Sequence, residues 1–206
     1  MKISYSILTH NETDSLSELI QFLVKHKDEE DEIVILDDYS DNEKTKEILD
    51  SMCSIYEITF EQRHLMKDYG EQKNHLKNMC TGDYIFNIDA DELPHTNLME
   101  NLHTLLEQNQ HIELYYVPRV NTVKGITQEH IHEWHWHVND KGWVNFPDPQ
   151  MRIHKNISSI RWKNSVHEIL KGQKTYVHLP HEEEWSLYHH KDIKRQEKQN
   201  EFYSSI

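Results

Sequence analysis

Short apolar runs alternate with amphipathic stretches from Ile3 to Val117. Runs from Ile3 to Leu8, Glu32 to Leu36, Ile55 to Phe60, Tyr84 to Ile88 and Leu114 to Val117 read as strands bounded by polar or turn-forming residues. Between the first two, Leu16, Leu19, Ile20, Leu23 and Val24 fall on one helical face. Asp14 or Ser15 starts that helix, and Glu18 stands where it completes a capping box with Ser15. Asn42 to about Met52 and Asp68 to Cys80 predict polar helices, the latter with Gly70 near its start. Asn97 to Gln108 predicts a helix with Leu98, Leu102, Leu105 and Leu106 inward. Strands alternating with helices predict an α/β fold, Rossmann-like, with a mostly parallel sheet flanked by helices.

From Arg119 to Pro149 the pattern changes to Trp, His, Gly and turn residues. Met151 to His154 and Tyr176 to Leu179 are short strand candidates, and Asp192 to Tyr203 reads as a polar helix. No repeat or linker interrupts the chain, so one domain over residues 1–206 is expected, with 1–118 as a nucleotide-binding half and 119–206 as an irregular half. Glu129 to His137 reads as a strand with His130 and His132 on one face and His135 and His137 on the other. Its flat apolar faces with polar edges suit a sugar-binding groove, and it also fits a surface hairpin or a metal site. Trp143 and Trp162 read as core anchors. Lys191, Lys194, Arg195 and Lys198 form a basic patch that suits a solvated helix face, an anionic acceptor or a pyrophosphate.

The chain has 206 residues, 22 Lys+Arg against 36 Asp+Glu, and a formal net charge of −14. So acidic a chain is a poor binder of nucleic acid. Neither Cys53 nor Cys80 belongs to a C-x-x-C pair, so buried thiols in a reducing compartment are expected. The amino terminus lacks a signal-peptide pattern, and no run approaches the ~20 apolar residues of a membrane span. A cytoplasmic protein without an integral membrane segment is the expectation.

The chemistry gathers at strand ends, where open α/β sheets bind ligands. Tyr84-Ile85-Phe86-Asn87-Ile88 stops at Asp89-Ala90-Asp91-Glu92. Such close carboxylates repel unless a cation lies among them, and Mn²⁺ or Mg²⁺ prefers oxygen ligands shared with substrate phosphates. Thr9-His10-Asn11-Glu12 and Asp37-Asp38-Tyr39-Ser40-Asp41 end two more strands, and Gly70-Glu71-Gln72-Lys73-Asn74 lies between. Singly, each also fits a turn or helix cap.

With "THNE", "VILDDYSDN", "GEQKNHLKNMCTGDYIFNIDADE", "FPDPQMRIHKN" and "VHE" in this order, the chain resembles the family 2 glycosyltransferases of GT-A fold. The last two motifs, followed by "YHH" and a Lys/Gln/Asn-rich stretch, are similar to the subgroup containing lipopolysaccharide-core β-glucosyltransferases. The resemblance implies that Thr9, Asn11 and Glu12 line the base and ribose pocket and that Asp38 accepts from base or ribose. It puts Lys73 where the family often has Arg, Asp89 at the ribose or metal, and Asp91 on the metal. Glu92 would support the site, and His189, or alternatively His190, would complete the metal set.

The implied reaction moves a sugar from a nucleoside-diphosphate donor, UDP-linked by preference, to a hydroxyl acceptor such as a glycan. A metal on the pyrophosphate stabilises the leaving charge, and one carboxylate deprotonates the acceptor if the reaction inverts. Asp148, between two prolines, is the first candidate for that base; Glu168 is the second. Two rivals stand beside this reading. A nucleotidyltransferase or sugar-nucleotide pyrophosphorylase needs a glycine-rich loop that residues 9–12 lack. A non-catalytic sugar- or metal-binding module is separated only by activity.

Overall fold

The computed structural model describes residues 1–197. Among the described residues, twelve strands and five complete α-helices follow in chain order. The strands are β1 (Ile3–Thr9), β2 (Glu32–Asp37), β3 (Thr59–Gln62), β4 (Tyr84–Asp89), β5 (Glu92–Pro94), β6 (Leu114–Val117), β7 (Arg119–Lys124), β8 (Gln150–Lys155), β9 (Arg161–Lys163), β10 (Ile169–Lys171), β11 (Tyr176–His178) and β12 (Leu187–Asp192). The helices are α1 (Asp14–His26), α2 (Glu43–Ile55), α3 (Tyr69–Met79), α4 (Thr96–Gln108) and α5 (Gln128–Glu133). Among the described residues, no helix is long and apolar enough to cross a membrane.

The main sheet has seven strands in the order β11-β6-β8-β4-β1-β2-β3. β1 to β4 are mutually parallel where they pair, and β8 runs antiparallel between β4 and β6. A three-stranded sheet, β5-β12-β7, lies beyond the ends of the parallel strands, and β9 and β10 form a separate antiparallel pair. The α/β expectation therefore holds, and β1, β2 and β4 form where the apolar pattern placed them.

Alternation along β1 explains the layering. Ile3, Tyr5 and Ile7 join Leu16, Leu19, Ile20 and Leu23 of α1 and Leu98, Leu102 and Leu106 of α4 in the main core. Ser4 and Ser6 point the other way, and Ser6 Oγ donates to Asn87 Oδ1 at 2.9 Å, so the buried hydroxyl is satisfied. On that second face Val34, Leu36 and Ile85 pack on Leu76 of α3 and on Cys80, which follows that helix. Trp162 is buried with Leu114, Ile160 and Leu170, and Trp143 is also buried, as expected for anchors.

Four expectations are corrected. The helix over 43–55 consumes Ile55, which is exposed, so the third strand begins only at Thr59 after a left-handed Glu57. Ser15 does not cap α1; its hydroxyl donates to Glu12 Oε2 at 3.0 Å instead. The His-rich segment starts as α5 rather than a strand, because Thr127 and His130 form a capping box. Lys191 belongs to β12, and helix begins at residue 193; the rest of the predicted final helix, with Lys198, lies outside the described residues.

Candidate functional site

Register places the polar strand ends side by side. Thr9 pairs with Asp37, and Leu8 pairs with Asp89, so the loops after β1, β2 and β4 emerge together at one sheet edge. Two cavities open there. The smaller, about 300 Å³, is lined by Thr9, Glu12, Asp38 and Lys73. The larger, about 610 Å³, is lined by Arg119, Asn121, Trp136, Asp148 and His189. Asp89, Asp91 and Glu168 belong to the walls of both.

The strand ends divide their labour. Asp37 is fully buried and accepts from Ser40 N, Ser40 Oγ and Gln62 Nε2, so it holds the turn. Asp38 faces the smaller cavity and accepts from Leu65 N at 2.8 Å. Thr9 Oγ1 is buried with no hydrogen-bond partner among the described residues, an atom placed for a ligand to satisfy. Asn11 sits at φ 57°, and its Oδ1 accepts from Asp41 N and Asn42 N, each at 3.0 Å, so it clamps the loops after β1 and β2 together. Lys73 reaches the smaller cavity but donates to Glu168 Oε1 at 2.5 Å and lies over the Trp162 ring at 4.6 Å.

The carboxylates after β4 do find cations, and the protein supplies most of them. The Arg152 guanidinium donates to Asp89 Oδ2 at 2.5 Å and to Glu92 Oε1 at 2.6 Å. Arg119 adds a bond to Glu92 at 3.0 Å and pairs with Asp148 at 2.7 Å. Burial works to raise the Asp89 pKa, but Arg152 and Lys73 outweigh it and hold the carboxyl well below its ordinary range. Neither arginine was expected from the sequence. The signal lay in position: Arg152 stands between Met151 and Ile153 inside a strand, and Arg119 and Asn121 share one face of β7.

Asp91 is different. It faces His189 Nε2 at 3.2 Å and Arg195 at 3.0 Å. Asn121 Nδ2 donates to Asp148 Oδ2 at 2.7 Å, which turns Asn121 Oδ1 toward His189 Nδ1, 2.7 Å away. His189 therefore donates from Nδ1, and its Nε2 faces Asp91 Oδ2: the contact is a hydrogen bond when Nε2 carries a proton, and with Nε2 deprotonated the nitrogen and the carboxylate oxygen offer two lone pairs to a cation. A ring fixed through Nδ1 in this way is how metal-binding histidines are oriented. His190, on the opposite face of β12, is exposed and bonds Thr122 at 2.5 Å.

Asp148 is held on several sides. Besides Arg119 and Asn121, Gln150 Nε2 donates to its Oδ1 at 2.8 Å, and its backbone is left-handed at φ 39°. Burial would raise its pKa, yet Arg119 and Asn121 lower it. Of the His-rich segment, Trp136 reaches the larger cavity. Among the described residues, no group of three or more His, Cys, Asp or Glu is placed to hold a metal by itself.

A model of Glycosyl transferase family 2 matches residues 4–170. The chain belongs to that family. No curated protein matches the sequence significantly. Among solved structures, this family 2 chain is similar to S. aureus TarS 1–349, with TM-score 0.60 and 15% identity over 92% of this chain. It is also similar to the same S. aureus protein in complex with UDP-GlcNAc, with TM-score 0.56 and 14% identity over 92% of this chain. At such identity the likeness concerns the fold, which is the GT-A arrangement. The chain covers 60% and 58% of those two chains.

Proposed function

We propose that the chain is an inverting, divalent-cation-dependent glycosyltransferase that moves a sugar from a UDP-linked donor to a hydroxyl of a glycan. The observation that carries this reading is the Asp91–His189 pair, with Asp91 on the wall shared by the two cavities and His189 lining the larger. Two protein donors with room for substrate oxygens suit Mn²⁺ or Mg²⁺, which bind through few carboxylates plus substrate phosphates. Held by Asp91 and His189, with Asp89 nearby, the cation supplies charge stabilisation for a departing diphosphate. The UDP preference draws on the S. aureus TarS complexes with UDP-GlcNAc and with UDP. Membership of the lipopolysaccharide-core β-glucosyltransferase subgroup rests on the "FPDPQMRIHKN" and "VHE" motifs, and the 1–118 and 119–206 halves would supply donor and acceptor surfaces respectively.

The chain's own residues have separable tasks in this reading. Thr9, Asp38 and Lys73 line the nucleotide cavity, with the Thr9 hydroxyl and the Asp38 carboxylate available to base or ribose. Glu12 lies at its rim and Asn11 shapes the loop behind it. Glu168, on the wall between donor and acceptor cavities, takes the proton from the acceptor hydroxyl, and Lys73 fixes its position. That reverses the order expected from the sequence. Asp148, already accepting from Arg119, Asn121 and Gln150, is a weak proton acceptor; it orients Asn121 and through it His189.

A donor screen that measures release of nucleoside diphosphate, with and without Mn²⁺, tests the proposal. UDP-sugar turnover that EDTA abolishes is expected, and the same assay separates an enzyme from a binding module. Full turnover in excess EDTA rules out the metal role, and no release from any donor rules out the enzyme.

A further inference from the structure

Arg195 occupies a position that the donor chemistry contests. β12 delivers His189, and the chain then turns at Asp192, whose Oδ1 accepts from Arg195 N at 3.0 Å. The guanidinium grips both carboxylate oxygens of Glu12, with Nη1 3.2 Å from Oε2, and a short bond to Oε1. Glu12 is itself steadied by the Ser15 hydroxyl. The same guanidinium reaches Asp91 Oδ2 at 3.0 Å, the oxygen that His189 Nε2 faces. Any cation bound by Asp91 and His189 must share that oxygen with Arg195 or displace it. The Arg195 side chain is 43% exposed, against 15% for Asp91 and 18% for Glu12, so the arginine arm is the partner free to move. A guanidinium fork also matches phosphate oxygens in a bidentate way that an ammonium does not.

We propose that Arg195 is a diphosphate-binding residue that stands in for the cation at Asp91 while the donor site is empty. When metal and diphosphate enter, Arg195 gives up Asp91 and closes on the diphosphate oxygens, with Glu12 keeping it within reach. The inference rests on the donor-site reading above, and it adds a prediction that reading does not make: one substitution has opposite effects on two ligands.

Mn²⁺ binding, followed by the paramagnetic resonance of the free ion, and UDP binding in saturating Mn²⁺, followed by calorimetry, test it on the full chain. Arg195→Ala removes a competing charge, so Mn²⁺ alone binds about three- to fivefold more tightly, the scale of an exposed ion pair. The same variant loses charge-assisted bonds to the diphosphate, so UDP binds about tenfold or more weakly. Arg195→Lys keeps the competing charge but not the fork: Mn²⁺ binding stays near that of the wild type while UDP binding is impaired. Lys46→Ala, on α2 where it pairs with Glu43 away from both cavities, changes neither. Shifts of both affinities in the same direction, or no shift in either, overturn the proposal while leaving the donor site intact. A wild-type chain that binds neither UDP, GDP nor ADP in Mn²⁺ overturns the donor-site reading and this inference with it.

Discussion

At the scale of single residues, the site is a set of charges distinguished by their partners. Asp89, Asp91 and Glu92 are three residues of one motif, yet Glu92 is fully committed to Arg119 and Arg152 while Asp91 opens to both cavities. Asp91→Asn keeps the shape and removes a ligand charge; a loss of at least about 100-fold in turnover is expected, the scale of one strong transition-state contact. Retention of wild-type turnover in a steady-state assay would remove Asp91 from the metal. The two base candidates separate by readout. Glu168→Gln should abolish transfer while leaving Mn²⁺ binding unchanged. Asp148→Ala should weaken Mn²⁺ binding, because Asn121 loses the acceptor that sets its orientation. Transfer assays paired with metal titrations decide, and the opposite pattern returns the base role to Asp148. The carboxylates were legible in the sequence because they end an apolar run. Their arginine partners were not, because Arg152 meets Asp89 across 63 positions and nothing local announces the pairing.

At the scale of elements, α3 and the β9–β10 pair act as one unit that carries the proposed base. Asn74 of α3 donates to Trp162 O at 2.9 Å and accepts from Trp162 N at 3.0 Å, so its amide substitutes for a neighbouring strand. Gly70 lets the helix approach: a Cβ there would lie 2.4 Å from the Asn164 carbonyl oxygen. Lys73, one turn on, holds Glu168 in the connection between β9 and β10. Gly70→Ala should therefore cost about 1–3 kcal/mol, the range for overpacking, and should lower turnover more than UDP affinity. Urea unfolding together with calorimetry reads both, and unchanged stability would mean that the turn at Asn164 yields freely. Helices α1 and α4 were legible because leucines recur at helical spacing. α5 was not, because a histidine takes the capping position usually held by Glu or Gln, and alternating His and Trp mimic a strand.

At the scale of the whole molecule, one buried and one half-buried ionisable group make stability depend on pH in two windows. His154 is fully buried; Nδ1–H donates to Lys155 O at 2.9 Å, and burial pushes its pKa from 6.5 down to about 4. The unfolded chain takes that proton more readily. The contribution is complete above about pH 6.5 and is lost as pH falls toward 4, at about 1.4 kcal/mol per pH unit. Glu32 acts lower down. Burial opposes its ionisation, but Lys2, Ser4 and Thr81 pull its pKa from 4.5 to about 2, so its share is present above 4.5 and lost below. Urea midpoints at pH 7 and pH 5 should differ less for His154→Gln than for the wild type; equal differences would locate the dependence elsewhere. The strand order carries a further consequence, for the order in which the chain can fold. β8 pairs on one side with β4 and on the other with β6, so two stretches from the first half meet only through a strand that follows them in sequence. A growing chain that has reached Val117 holds β4 with a bare edge and β6 with no neighbour, and open edges of this kind template association. A fragment of residues 1–118 should therefore aggregate, and one extended through Lys155 should be more soluble, with sedimentation of the two as the measure.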